Sequence, residues 1–152
     1  MSTYDVGVVL DQALALQRAA EAGTTRPMLR GVMFGLLCER DDSDDAMLVR
    51  RAAAELGAHV AYVHADLSES STPGEVQDTA RMLGRLYDAV ESQGVPPRLI
   101  RQIAADADVP VFDGIASSRH PSARLVARLG GDTAPHDNRR FVLQAVLLHS
   151  IA

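Results

Sequence analysis

Lysine is absent from this chain of 152 residues: all 15 basic side chains are arginine, set against 20 acidic ones, for a net charge of −5. That excludes a Schiff-base lysine and a lysine clamp on phosphate. The acidic balance argues against nucleic acid as a partner, since nonspecific binding needs a basic face to neutralise phosphates. Tryptophan is also missing and aromatics make up only 4%, so the core must rest on Leu, Val, Ala, Ile and Met. The single cysteine, Cys38, allows no internal disulfide; this fits a reducing, cytoplasmic location, and at the end of an apolar run Cys38 reads as a small buried hydrophobe. No apolar run approaches the ~18 residues that span a bilayer, and no basic-then-apolar leader opens the chain, so no membrane partner is expected. There is no glycine-rich phosphate loop, no Ser–His–Asp order worth defending and no Cys/His ligand spacing, and His59, His64, His136 and His149 read as surface or core residues. No cofactor or resident metal is expected.

What is present is an alternation of two periodicities. At this length the size prior gives one domain, residues 1–152, large enough to bury roughly 68–70% of its unfolded surface. Apolar positions at helical spacing predict a helix over Val6–Ala22, stopped by Gly23. Gly31–Cys38 is a continuous apolar run of the kind found in strands covered on both faces. The acidic patch Asp41, Asp42, Ser43, Asp44, Asp45 then opens a helix that ends at Gly57. His59–Val63 reads as a second strand and Asp66–Pro73 as a polar loop, followed by a helix over Gly74–Tyr87. Ala89–Ser92 is a short strand candidate, Pro97 starts a helix at its favoured first position, and Val109–Phe112 is a fourth strand candidate. Two helices, Pro121–Leu129 and Asn138–Ile151, close the chain. This order predicts an α/β three-layer sandwich around a central, four-stranded, mostly parallel sheet. Ligands in such sheets bind beyond the carboxyl ends of the strands, which directs attention to the loops after Cys38, Val63, Ser92 and Gly114.

Several separated motifs, in matching order, resemble the aspartate/ornithine carbamoyltransferase family, and ornithine carbamoyltransferase most closely. Asp78-Thr79-Ala80-Arg81-Met82-Leu83-Gly84-Arg85-Leu86-Tyr87-Asp88 is similar to that family's "DTARVLGRMYDG" helix. Val109-Pro110-Val111-Phe112-Asp113-Gly114 resembles its "VPVxNGL" strand, and His120-Pro121 stands at its His-Pro-x-Gln motif. The N-terminal helix, the Ala22-Gly23-Thr24 turn and Leu29-Arg30-Gly31 are similar as well. Asp137-Asn138-Arg139 running into Ala145-Val146 resembles the final helix of the family, so residues 137–152 are expected to pack back on the domain. The resemblance implies a carbamoyl-phosphate-binding domain without the amino-acid-binding second domain, of which no counterpart lies between the His-Pro helix and that final helix. It also implies a homo-oligomer, a trimer built through this domain, with a full-length carbamoyltransferase as a further partner.

The same resemblance places the ligand site and shows how it departs. The family reads Ser-Thr-Arg-Thr-Arg after its first strand, so that backbone N–H groups, a helix dipole and an arginine receive the phosphate. The matching positions here are Asp42, Ser43, Asp44, Asp45 and Ala46. The family's arginine after the third strand corresponds to Gln93, and the glutamine of its His-Pro motif to Ala123; His120 survives as a relic candidate. No catalytic residue is assigned. A carboxylate ~6 Å from a phosphate at an effective dielectric of ~20 opposes each unit of its charge by about 3 kcal/mol; two or three of them, together with the missing arginine, amount to several kcal/mol, to be set against the ~8 kcal/mol of micromolar affinity. The expectation is therefore an oligomeric scaffold or modulator that has lost carbamoyl transfer. A small-molecule or cation-binding module using the acidic loop, and a residual or altered transferase in amino-acid metabolism, stand as alternatives. The aspartates themselves admit two readings: a cap and first turn that complement the helix dipole, or a site for a hard cation. His120 likewise is either bonded to backbone or available for proton transfer.

Overall fold

The computed structural model describes residues 3–64, 66–131 and 133–151, so the outermost positions of the one-domain reading, Met1, Ser2 and Ala152, lie outside the described residues. The chain runs α1 (Thr3–Ala22), β1 (Met33–Leu37), α2 (Asp44–Glu55), β2 (His59–Val63), α3 (Pro73–Leu86), β3 (Ala89–Ser92), α4 (Pro97–Ala107), β4 (Val111–Asp113), a 3₁₀ turn (Pro121–Leu125), α5 (Val126–Leu129) and α6 (Pro135–Ile151). The four strands pair in the order β2-β1-β3-β4, every pair parallel. The chain steps from β1 outward to β2 and then returns across β1 to β3, which puts the topological switch between β1 and β3. Among the described residues no helix is long and apolar enough to cross a membrane.

Strand alternation sorts the core into two layers. Phe34, Leu36 and Ala89 pack with the buried residues of α1, α2 and α6. Leu37 and Val90 point the other way, into Val76 and Leu83 of α3 and Leu99 and Ile103 of α4. The predicted three-layer sandwich is the observed fold. Its boundaries shift where local chemistry forbids pairing. β1 begins at Met33 rather than Gly31, which takes φ +83 in the turn before the strand. β4 begins at Val111 because Pro110 has no N–H to give the ladder, although its carbonyl still accepts from Val90 N–H at 3.0 Å. The predicted helix over Pro121–Leu129 divides into the 3₁₀ turn and the single turn of α5.

Helix α6 is buried on nearly every side, with Arg140, Phe141 and every residue on to Leu148 inside, which is the pattern of a helix enclosed by its neighbours. Arg140 is held by Glu55 of α2 at 2.8 Å and Asp137 at 2.7 Å, and its guanidinium lies over the Phe141 ring. Gln144 donates to the Ala52 carbonyl at 3.2 Å and to Glu55 at 3.0 Å. On the other flank Gln17 of α1 donates to Gly130 O at 2.8 Å and Asn138 Oδ1 at 3.1 Å.

The opposite layer has one steric keystone. α3 lies so close to the end of α4 that a Cβ on Gly84 would overlap the Ala107 carbonyl oxygen, which is backbone and cannot swing aside. Gly84→Ala is expected to destabilise the fold by roughly 1–3 kcal/mol through overpacking. Gly7→Ala, at an open position on α1, should be neutral or gain up to about 1 kcal/mol in helix propensity. Urea denaturation midpoints of the two variants check this.

Candidate functional site

The carboxyl edge of the sheet carries the residues that the sequence singles out, but it does not gather them at one point. The acidic stretch occupies the loop after β1 and the first turn of α2. Ser43 is the helix N-cap: its Oγ accepts the Ala46 N–H at 3.1 Å, and Asp44 and Asp45 occupy the turn that follows. Asp42 takes two hydrogen bonds from the Arg40 guanidinium, both at 3.1 Å, so the nearest cation of this loop is already paired. Asp44 and Asp45 are exposed. This is the capping geometry, and among the described residues no group of three His, Cys, Asp or Glu side chains is disposed to hold a metal ion.

Gln93 follows β3 and lies elsewhere. It opens on a cavity of about 450 Å³ at the ends of β1, β2 and β3, whose walls include Cys38, His64, Asp66 and Ser68. Its Nε2 donates to Glu91 at 3.3 Å. Asp45 lines a separate, shallower depression of about 480 Å³ with Ser117, His136 and Arg139. Asp44 and Asp45 therefore border hollows other than the one on which Gln93 opens.

His120 is the cap of the 3₁₀ turn. Its Nδ1 accepts the Ser122 N–H at 3.2 Å and lies 2.8 Å from Ser122 Oγ. An Nδ1 that accepts leaves the ring proton on Nε2. Burial, and secondarily the charge of Arg139, hold its pKa below the usual histidine value. The ring is thus neutral near pH 7 and serves the backbone.

Two residues that sequence reasoning left out organise this edge. Arg139, from α6, donates to the carbonyls of Ile115 and Ser117 (the latter at 3.2 Å) and to Ser122 Oγ at 3.2 Å. Burial lowers its pKa from the guanidinium norm, with Asp45 and Glu91 acting in the opposite sense. Glu91, on β3, is fully buried, and its carboxyl accepts the Ile115 N–H at 3.1 Å. The segment after β4 is therefore held by its N–H from the sheet and by its carbonyls from α6. The signal for Glu91 was available: an acidic residue inside a short, otherwise buried strand has to be satisfied or neutral. Arg139 gave no such signal, because its partners lie 17 to 24 residues away in sequence. Cys38 is buried, and burial followed by the Asp41 and Glu91 carboxylates raises its pKa, which makes it a poor nucleophile.

Burial pushes the Glu91 carboxyl up from 4.5 to about 8, with its hydrogen bonds from Gln93 and Ile115 opposing. The native state then keeps a proton that the unfolded chain releases near pH 4.5, so stability falls as pH rises between about 4.5 and 8. For one proton the slope is at most about 1.4 kcal/mol per pH unit. Glu91→Gln should flatten this dependence, as read from urea midpoints at pH 5 and pH 8; an unchanged slope would show that Glu91 is ionised across that range.

Comparison with known proteins covers most of the chain, the family match ending within α5. The family described as aspartate/ornithine carbamoyltransferase, carbamoyl-P binding domain, matches residues 1–128. The ornithine carbamoyltransferase of Actinobacillus pleuropneumoniae serotype 5b (strain L20) is 35% identical over 121 residues, which is 80% of this chain and 36% of that protein. The catabolic ornithine carbamoyltransferase of Pseudomonas putida is 32% identical over 140 residues, 90% of this chain and 42% of that protein. Among solved structures, ornithine carbamoyltransferase from Pyrococcus furiosus superposes with a TM-score of 0.69 at 25% identity, covering 83% of this chain and 40% of that one. That from Burkholderia thailandensis gives 0.71 at 21% identity, over 84% and 44%. The chain spans about two fifths of the length of the relatives it matches.

Proposed function

The chain belongs to the aspartate/ornithine carbamoyltransferase family, through its carbamoyl-phosphate-binding domain, and on that footing we propose that it no longer binds carbamoyl phosphate and acts by association. It assembles with itself and modulates or scaffolds a full-length carbamoyltransferase. The observation that carries this reading is the start of α2. Its third free N–H is already taken by Ser43, the adjacent side chains Asp44 and Asp45 are carboxylates, and the loop's own cation, Arg40, is committed to Asp42. A helix N-terminus attracts anions only while its N–H groups and its field are unopposed. Gln93, where the family pattern has an arginine, supplies no charge and turns toward Glu91. His120 is neutral and bonded to backbone. The assignment of residues 137–152 to the helix that closes the family's domain is supported by the burial of α6 against α1 and α2.

A second reading has one observation in its favour. The cavity of about 450 Å³ beside Gln93 lies at the switch between β1 and β3, where sheets of this type take ligands. It supports a small-molecule module that uses Gln93 and its neighbours rather than the acidic loop.

Two measurements decide. Citrulline formation from ornithine and carbamoyl phosphate is expected to stay at background with the full chain. Turnover that His120→Ala abolishes would instead make the chain a transferase. Co-expression with a tagged full-length ornithine carbamoyltransferase is expected to yield a mixed oligomer with altered turnover per active subunit; separate elution with unaltered turnover would remove the modulator reading.

A further inference from the structure

The buried carboxyl of Glu91 sits one side chain behind the wall of the cavity at the ends of β1, β2 and β3. Every hydrogen bond that reaches it is donated to it: by the Ile115 N–H, at 3.1 and 3.3 Å from its two oxygens, and by Gln93 Nε2 at 3.3 Å. That set suits a carboxylate. Burial, however, favours the protonated form, whose O–H needs an acceptor. Gln93 is the one side chain bonded to Glu91 among the described residues, and it can answer both forms. An amide carries a carbonyl oxygen and an N–H2 at its two ends, and a half-turn about its last torsion exchanges them without moving the backbone. Gln93 Nε2 is taken by Glu91, while Oε1 has no partner in the fold. Among the described residues no buried side-chain oxygen or nitrogen goes unpaired, so Oε1 opens on the cavity that Gln93 lines. The other ionisable groups near Glu91 come from three elements. Asp113 at the end of β4 opposes its ionisation, Arg139 of α6 feels its charge, and the Cys38 thiol after β1 is kept neutral by burial.

We propose that Glu91 and Gln93 form a proton-coupled switch that reverses what the cavity offers a ligand, and that its ionised setting receives a small organic cation. With Glu91 protonated, its O–H donates to Gln93 Oε1 and the amide turns its N–H2 to the cavity. With Glu91 ionised, the amide N–H donates to the carboxylate and Oε1 accepts from the cavity. That oxygen then joins the carboxylates of Glu39 and Asp66 and the hydroxyl of Ser68, so the polar wall consists largely of acceptors. No arginine stands among the described wall residues, and His64 is the one group there able to carry positive charge. Leu37, Leu67 and Val95 supply apolar surface for a short stem. A cation with N–H donors and no carboxylate fits these walls, whereas a ligand carboxylate would meet like charge and find no guanidinium. Binding releases the Glu91 proton to solvent, so that the buried carboxylate gained offsets the ammonium charge taken up. This inference rests on the reading of the cavity as a small-molecule site and names its chemistry and its regulation.

Carbon NMR of the full chain tests the switch without a ligand. The side-chain carbonyl signal of Gln93, assigned by its absence from Gln93→Met, is expected to move with the same midpoint as the Glu91 carboxyl, near pH 8. In Glu91→Gln, whose amide keeps the protonated setting, it should stay still. The cation is tested with n-butylammonium, titrated by calorimetry at pH 7 and pH 9. Between these the ionised fraction of Glu91 rises from about one tenth to about nine tenths, so the apparent affinity should rise by roughly three- to tenfold. Glu91→Gln, with His64 and the wall carboxylates intact, should lose that rise. At pH 7, two buffers of different ionisation heat should report close to one proton released per ammonium bound. A Gln93 signal that ignores the Glu91 titration overturns the switch. Binding that is equal at the two pH values, or unaltered in Glu91→Gln, overturns the proton coupling and leaves the cavity standing as a small-molecule site. A titrating Gln93 signal with no butylammonium bound at either pH overturns the cation assignment.

Discussion

The enclosure of α6 is the constraint on which the remaining geometry depends. A helix buried over almost its whole length has to satisfy its polar side chains inside, and α6 does so by reaching every neighbour. Asn138 joins Gln17 of α1, Arg140 and Gln144 hold Glu55 and Ala52 of α2, and Arg139 holds the segment that follows β4. The Arg140–Glu55 pair is short and largely shielded, so losing one partner would leave the other charge poorly solvated, a heavier penalty than the pair's net contribution. The same contacts fix the end of α2, and with it the direction in which the acidic first turn of that helix projects.

A second consequence appears at the carboxyl edge of the sheet. Parallel strands aim their final carbonyls and following loops at one place, where sheets of this type take ligands. Here the polar groups of that edge satisfy one another. Glu91 and Arg139 divide the backbone of Ile115 between them, Ser122 links Arg139 to His120, and Arg40 is spent on Asp42. The arrangement is self-contained, with a buried carboxyl held neutral at pH 7 and a guanidinium bonded to carbonyls rather than aimed at solvent.

Much of the fold was legible because the apolar runs are bounded by clear breakers. β2 and β3 stand where the runs HVAYV and AVES place them, and parallel pairing follows from strands separated by helical stretches. Errors fell on boundaries where one residue's backbone chemistry overrides the run, as at Gly31 and Pro110, and on Pro121–Leu129, where the chain turns too tightly for one α-helix. For the candidate site, the sequence carried the local facts: the charge of Asp42, Asp44 and Asp45, the capping capacity of Ser43, the missing arginine at Gln93. It did not show that Asp44 and Asp45 border hollows other than that of Gln93, nor that Arg139 enters this edge from the last helix. Those are tertiary facts, set by contacts between residues far apart in the chain.

The proposal rests on electrostatics: α2 begins with a Ser43 cap followed by two carboxylates, Asp44 and Asp45, a helix end that opposes an anion. Calorimetric titration of carbamoyl phosphate into the full chain at pH 7 and low salt tests it most directly, since low ionic strength leaves the local field least screened. The account predicts no saturable heat up to about 1 mM ligand, the range below about 4 kcal/mol of binding free energy. A saturable isotherm with micromolar affinity, abolished by blocking the α2 start, would contradict it.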